Sequence, residues 1–230
     1  MIGVFKPSLG QEEIDAVAEV LRSGWLGLGP KTAEFEKKFS EYVESKYAIA
    51  TNSATGALHL ACLAAGIKDG DEVIVPAITF VSTAFAPVYC GATPVFVDVG
   101  FDFNIDVNDI EGKLTNRTKA IIPIHYGGYP CNLDAIWEIA KAHNLIVIED
   151  AAHASGSEYR GNKIGSLQSD FTCFSFHAVK NMTTGDGGMI TTHSAEHNDL
   201  LRKLRWCGIN KSTWKRTEVS NYDWFYESIT

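Results

Sequence analysis

The run Phe171-Thr-Cys-Phe-Ser-Phe-His-Ala-Val-Lys-Asn-Met-Thr-Thr-Gly-Asp-Gly-Gly-Met-Ile-Thr-Thr192 contains two short apolar segments, Phe171–Phe176 and Gly188–Thr192. Each has the length and the flanking turn residues of a buried strand. Only 11 residues separate them, and glycines gather at Gly185-Asp-Gly-Gly188. Parallel neighbours usually need a connection of about a dozen residues or more, most often a helix, so an antiparallel return is expected at this point.

Upstream of this hairpin the apolar pattern alternates between two periods. Strand-like runs occur at Tyr47–Thr51, Glu72–Pro76, Pro94–Val97, Ala120–Ile124 and Leu145–Asp150. Between most of them lie stretches of helical spacing, Thr55–Gly66, Phe80–Cys90 and Leu133–His143. Two further helices, Gln11–Ser23 and Lys31–Val43, precede the first strand, and Ala195–Trp206 follows the last. Strands alternating with helices imply parallel βαβ units with helices on both sheet faces. The expected fold is therefore a three-layer α/β sandwich around a mixed, mostly parallel sheet of about seven strands.

The 230-residue chain is 45% hydrophobic and 21% charged, the balance of an ordinary soluble globular protein. It is long enough to bury a core without covalent staples. A net charge of −8 argues against a nucleic-acid partner, which requires a basic surface. A phosphorylated small ligand remains compatible, because one helix N-terminus can hold a phosphate in an acidic protein. The first residues, Met1-Ile-Gly-Val-Phe-Lys-Pro7, lack a charged-then-apolar leader, and no apolar run reaches membrane-spanning length. Five scattered cysteines form no Cys-x-x-Cys pair, which disfavours both a disulfide framework and a zinc site. The expected location is the cytoplasm.

Ligands of open α/β sheets gather at the carboxyl ends of the strands. Those ends read Asn52-Ser-Ala-Thr55, Pro76-Ala-Ile-Thr-Phe80, His125-Tyr-Gly-Gly128, Asp150-Ala-Ala-His153 and Ser175-Phe-His-Ala-Val-Lys180. Asp150 ends the apolar run Leu145-Ile-Val-Ile148, so its carboxylate is expected at the rim of a buried sheet. It suits a cationic partner such as a protonated pyridine nitrogen. A helix cap after the strand is the other reading, and on this residue alone the commoner one. Lys180 follows a strand of small and apolar residues, with no acid between His177 and Thr184 to pair with it. A lysine so placed can lose its proton and act as a nucleophile, whereas an isolated lysine is most often a solvated loop residue.

Phe174-Ser-Phe-His-Ala-Val-Lys-Asn-Met-Thr-Thr-Gly-Asp-Gly-Gly-Met189 resembles the lysine motif of the DegT/DnrJ/EryC1/StrS family of sugar aminotransferases. Three other segments resemble the same family in the same order: Ser23-Gly-Trp-Leu-Gly-Leu-Gly-Pro30, Asn52-Ser-Ala-Thr-Gly-Ala-Leu-His59 and Glu149-Asp-Ala-Ala-His-Ala154. Four ordered motifs are far more specific than one.

The resemblance implies the large domain of a fold-type-I enzyme dependent on pyridoxal 5'-phosphate (PLP). It implies Lys180 as the Schiff-base lysine and proton carrier, and Asp150 as the partner of the pyridine nitrogen. The cofactor phosphate would be bound by Ser175, Thr55 and the backbone N–H of Ala54. Phe80 would stack on the ring, a core aromatic being the competing reading. His153 would contact the phenolic oxygen, with a buried, satisfied histidine as the alternative. The implied reaction transfers an amino group from an amino acid, glutamate in most relatives, through pyridoxamine phosphate (PMP) to a nucleotide-linked keto sugar. A homodimer is implied as well.

The implied organisation is an N-terminal helix and substrate-side loop over 1–30, a PLP-binding domain over 31–210, and over 211–230 the start of a connection to a small C-terminal domain that the chain lacks. Ser-Ala-Thr stands where many relatives have Ser-Gly-Thr. His177 resembles the form found in enzymes that act on UDP-linked 4-keto sugars. Because Lys180 is a lysine and not histidine, the deoxysugar dehydratases of a related branch are disfavoured. Two other classes compete: a catalytically silent fragment or interaction subunit of this fold, and a dinucleotide-binding oxidoreductase. Gly185–Gly188 does not form Gly-x-Gly-x-x-Gly, which sets the last aside.

Overall fold

A computed structural model describes residues 5–209. The tail from Asn210, including the expected 211–230 connection, lies outside the described residues. The elements run α1 (Gln11–Ser23), α2 (Pro30–Val43), β1 (Tyr47–Thr51), α3 (Ala54–Ala64), β2 (Glu72–Pro76), α4 (Val81–Tyr89), β3 (Thr93–Val97), α5 (Val107–Ile110), β4 (Thr118–Ile121), α6 (Leu133–His143), β5 (Ile146–Asp150), β6 (Glu158–Tyr159), β7 (Asn162–Lys163), β8 (Phe171–Ser175), β9 (Gly188–Thr192) and α7 (Ala195–Leu204).

Local chemistry sets most helix starts. Pro30 occupies the first turn of α2, where its missing N–H costs nothing. The side chains of Ser53, Asn132 and Ser194 cap α3, α6 and α7 by accepting backbone N–H groups of the first turn. Asn144 ends α6 in the left-handed conformation.

The main sheet has seven strands in the order β1-β9-β8-β5-β4-β2-β3. β9 runs antiparallel to both neighbours, β1 and β8. The pairs β8–β5, β5–β4, β4–β2 and β2–β3 are parallel. The expected mixed sheet, with its single reversed strand after the lysine loop, is what forms. Side chains alternate across it into two cores. Phe174, Phe176 and Val147 join Phe39, Val43, Leu133 and Ile136 on the face covered by α2 and α6. Phe171, Cys173 and Ile148 join Ala57, Leu58, Ala61, Ala86 and Leu201 on the face covered by α3, α4 and α7. These are the three layers expected. Buried Glu36 ties α2 to α7 through Arg202 (2.9 Å) and Arg205, and accepts the Ala50 backbone N–H of β1 at 2.9 Å.

Several local features differ from the sequence reading, the short helix α5 among them. β4 covers Thr118–Ile121 rather than Ala120–Ile124: Pro123 has no N–H to extend the ladder, and Ile124 keeps only an isolated bridge to Asp150. Phe80 precedes α4 as its N-cap instead of opening it. The two-residue strands β6 and β7 form a separate hairpin, too short to leave a periodic signal. Among the described residues no helix is long and apolar enough to cross a membrane.

Candidate active site

The strand ends that carry polar residues meet along one edge of the sheet. Thr51 closes β1, Gly188 opens β9 and Ser175 closes β8, and Gly188 is paired with both others. A Cβ on Gly188 would stand 2.5 Å from the Ser53 carbonyl carbon and 2.7 Å from the Ala54 nitrogen. The missing side chain therefore lets the first turn of α3 lie against the sheet. This brings Ala54 and Thr55 to the strand edge that carries Ser175. Ala54 is the first residue of α3, where backbone N–H groups lack helical partners and the dipole favours an anion. Thr55 Oγ1 shares a 2.8 Å hydrogen bond with Ser82 Oγ of α4. Ser175 is buried, and its hydroxyl oxygen accepts the His177 backbone N–H at 3.4 Å.

Asp150 is the last residue of β5 and only 2% exposed. Its Oδ2 accepts the Thr83 hydroxyl at 2.6 Å and its Oδ1 accepts the Ala152 N–H at 3.1 Å. Glu149, one residue earlier, points to the opposite face. There it meets His125 Nε2 at 2.7 Å, both side chains fully buried. His125 Nδ1 accepts the Cys131 N–H at 3.2 Å, so its proton sits on Nε2 and is donated to Glu149.

Lys180 lies in the turn between β8 and β9, its N–H donated to the His177 carbonyl at 2.9 Å. Two side chains just after Lys180 anchor the turn. Asn181 Nδ2 donates to the Ser155 carbonyl at 2.7 Å, and Thr183 Oγ1 to that of Phe176 at 3.0 Å. Burial pushes the Lys180 pKa below the ordinary lysine value, and the negative charge of Asp150 opposes this. His153 is half-buried, and its Nδ1 accepts the Gly127 N–H at 3.2 Å. Burial lowers its pKa, the charge of Lys180 lowers it further, and Asp150 acts the other way. Lys180 and Asp150 thus lie near enough to His153 to act on its charge, and Asp150 near enough to act on that of Lys180.

Phe80 is 68% exposed at the mouth of α4, which removes the core-aromatic reading. Two contributors, Thr83 and Ser82 in the first turn of α4, lie outside every motif, and Gly188, inside the lysine motif, matters for what it lacks. The only signal available was that a buried carboxylate must find donors, which the Thr83 hydroxyl and the Ala152 N–H supply. A crevice of roughly 890 Å³ between α6 and the β6–β7 region, lined by Trp137, Lys141, Arg160 and Asp170 among others, contains none of these residues. Among the described residues no group of three or more His, Cys, Asp or Glu side chains is placed to hold a metal ion.

The family model of the DegT/DnrJ/EryC1/StrS aminotransferases matches residues 7–224. The chain belongs to this family. It is 49% identical over 222 residues to the spore coat polysaccharide biosynthesis protein SpsC of Bacillus subtilis, covering 96% of this chain and 57% of SpsC. Among solved structures, Spr1654 from Streptococcus pneumoniae in its PMP-form superposes with a TM-score of 0.91 at 36% identity, covering all of this chain and 62% of Spr1654. Its PLP-form gives 0.89 at 35% identity. Helicobacter pylori PseC, an aminotransferase involved in the biosynthesis of pseudoaminic acid, gives 0.89 at 33% identity, with 99% of this chain and 59% of PseC covered. The chain thus spans less than two thirds of the length of these family members.

Proposed function

We propose that this chain is the cofactor-binding part of a PLP-dependent sugar aminotransferase that moves an amino group from an amino acid, with glutamate as donor, to a nucleotide-linked keto sugar. The observation that carries the reading is the cluster of Lys180, Asp150 and His153 beside a capped helix N-terminus and the hydroxyls of Thr55 and Ser175. This set fits pyridoxal phosphate. A carboxylate suits the ring nitrogen, an amine of lowered pKa suits the aldehyde, and unpaired N–H groups with hydroxyls suit the phosphate. Family membership and the PLP- and PMP-forms of Spr1654 support it.

Each side chain then has a task. When bound, the cofactor supplies an electron sink for negative charge at the substrate carbon. Asp150 holds the proton on the ring nitrogen. Lys180, its ammonium destabilised by burial, is the nucleophile and then the base that carries a proton on Nζ. The Ala54 N–H, Thr55 and Ser175 bind the phosphate, and Phe80 covers a ring face. With Nδ1 occupied by the Gly127 N–H, His153 carries its proton on Nε2 and offers it to the phenolic oxygen.

The proposed domain organisation assigns 1–30 to the substrate side, 31–210 to cofactor binding, and 211–230, outside the described residues, to a connection. A homodimer is part of the proposal, supported by the exposed apolar row Val81, Phe85, Val88 and Tyr89 on α4. Sedimentation showing a monomer at all concentrations would count against that part.

The deciding experiment adds PLP to the purified chain, reduces with borohydride and maps the label. A visible absorbance band and a label on Lys180 are expected. A label confined to another lysine, such as Lys163, or no label at all, defeats the reading. Amination of a UDP-linked 4-keto sugar with glutamate, assayed in the chain and in a form extended to the relatives' length, then tests substrate class.

A further inference from the structure

Thr83 is fully buried on the first turn of α4 and reaches across to β5, where its hydroxyl lies 2.6 Å from Asp150 Oδ2. A carboxylate only accepts hydrogen bonds, so the hydroxyl proton of Thr83 is committed to Asp150. The second contact of Thr83 Oγ1 is Thr79 Oγ1 at 2.7 Å. With its own proton used, Thr83 must accept there, and Thr79 donates. The pair forms a directed chain, Thr79 to Thr83 to Asp150, in which each bond polarises the next. On the other carboxylate oxygen the Ala152 N–H donates at 3.1 Å. Two donors on two oxygens, one from a helix and one from the Asp150 turn, fix the plane of the carboxylate. Rotation about its last bond would break both inside a buried site, where lost hydrogen bonds are costly.

We propose that Thr83, backed by Thr79, is a positioning residue that aims the Asp150 carboxylate at the ring nitrogen of the cofactor. This rests on the cofactor reading above and extends it to residues outside its motifs. Thr83 touches neither substrate nor cofactor in this scheme. Its effect passes entirely through Asp150, so it must vanish when nothing stands opposite that carboxylate. Thr79 occupies the residue before Phe80, so the same short segment that presents the stacking ring also supplies the hydroxyl chain.

The test is a binding cycle read by absorbance and by trapping with borohydride, independent of turnover. Wild type, Thr83→Val and Thr83→Ser are titrated with PLP and with its carbocyclic analogue, in which CH replaces the ring nitrogen. Thr83→Val keeps the shape and removes the hydroxyl, and Thr83→Ser keeps the hydroxyl. For Thr83→Val a loss of about tenfold in PLP affinity is expected, the size of one hydrogen bond to a charged group. Affinity for the analogue should be unchanged, and Thr83→Ser should bind PLP within about twofold of wild type. Equal losses for both ligands would show a merely structural residue and overturn the proposal, as would no loss for either. Should Thr83→Val not fold by circular dichroism, Thr79→Val is titrated in its place with the same contrast expected, and equal affinities for both ligands relative to wild type overturn the proposal. Failure of the wild type to bind PLP would instead defeat the proposed function itself.

Discussion

Gly188 and Ser53 come so close that no side chain fits between them: a Cβ on Gly188 would meet the Ser53 carbonyl carbon and oxygen at 2.5 Å each. The first turn of α3 rests directly on the start of β9. Gly188→Ala must therefore push the helix start away from Ser175, and overpacking of this kind costs about 1–3 kcal/mol. We expect a lower urea midpoint together with weakened phosphate and PLP binding. Gly112, which has nothing within 4 Å of its missing Cβ, is the control, and Gly112→Ala should bind as wild type does. Unaltered PLP affinity in Gly188→Ala would show that the cradle is not set by this contact.

The lowered pKa of Lys180 has a sign that can be followed. Burial disfavours its charged form, so the unfolded chain holds more protons between the folded pKa and the free-lysine value of about 10.4. In that window Lys180 makes stability rise with pH. It also becomes reactive at lower pH than a free lysine. Acetylation by acetic anhydride, followed by peptide mass spectrometry across a pH series, should show a Lys180 midpoint below the free value. Asp150→Asn removes the charge that opposes the shift, so the midpoint should fall further. A rise in that variant would contradict the electrostatic account.

Asp150→Asn also separates binding from chemistry. The amide keeps the shape and most contacts of the carboxylate but no longer holds a proton on the ring nitrogen. PLP should still attach to Lys180, whereas transamination in a form of full family length should fall by roughly a hundredfold or more. No helix follows Asp150, so the cap expected from sequence does not form. Near wild-type turnover would mean that Asp150 only holds the turn after β5 through the Ala152 N–H.

The buried pair of Glu149 and His125 makes a prediction about stability alone. His125→Leu leaves the Glu149 carboxylate without its closest donor in a fully buried position. Removal of one partner from such a pair costs about 3 kcal/mol or more, which equilibrium urea unfolding would read directly. A loss below about 1 kcal/mol, the scale of an ordinary neutral hydrogen bond, would mean that the Thr172 hydroxyl, which already donates to Glu149 Oε1 at 3.3 Å, suffices with water.

Much of this architecture was visible in the chain itself because its signals are local and strong. The short β-branched runs stand out from the helices between them, and the brief link from Phe176 to Gly188 leaves no room for a parallel crossover. Lys180 and Asp150 stood out as polar residues at the ends of apolar strands. Thr83 did not, because one threonine in an apolar helix looks like any other until the fold brings it across the sheet to Asp150. The same holds for Gly188, whose proximity to Ser53 depends on a pairing between segments far apart in sequence. β6 and β7, at two residues each, fall below the length at which periodicity has any meaning. Phe80 was ambiguous between core and mouth, since only the position of the α4 cap decides which way its ring faces.

The reversed strand β9 also has a consequence for the order of assembly. β1 has one partner in the sheet, and that partner is β9. A chain emerging from the ribosome releases β1 early with only α2 to pack against, and its sheet partner β9 follows after every other strand of the sheet has been made. β1 must wait as an unpaired segment, open to mispairing or to a holding chaperone. Its closure against β9 then spans nearly the whole sheet-forming region, the kind of long-range contact that slows folding. The seat of the α3 start on Gly188 and the turn that carries Lys180 are both bounded by β9, so both await that same late strand.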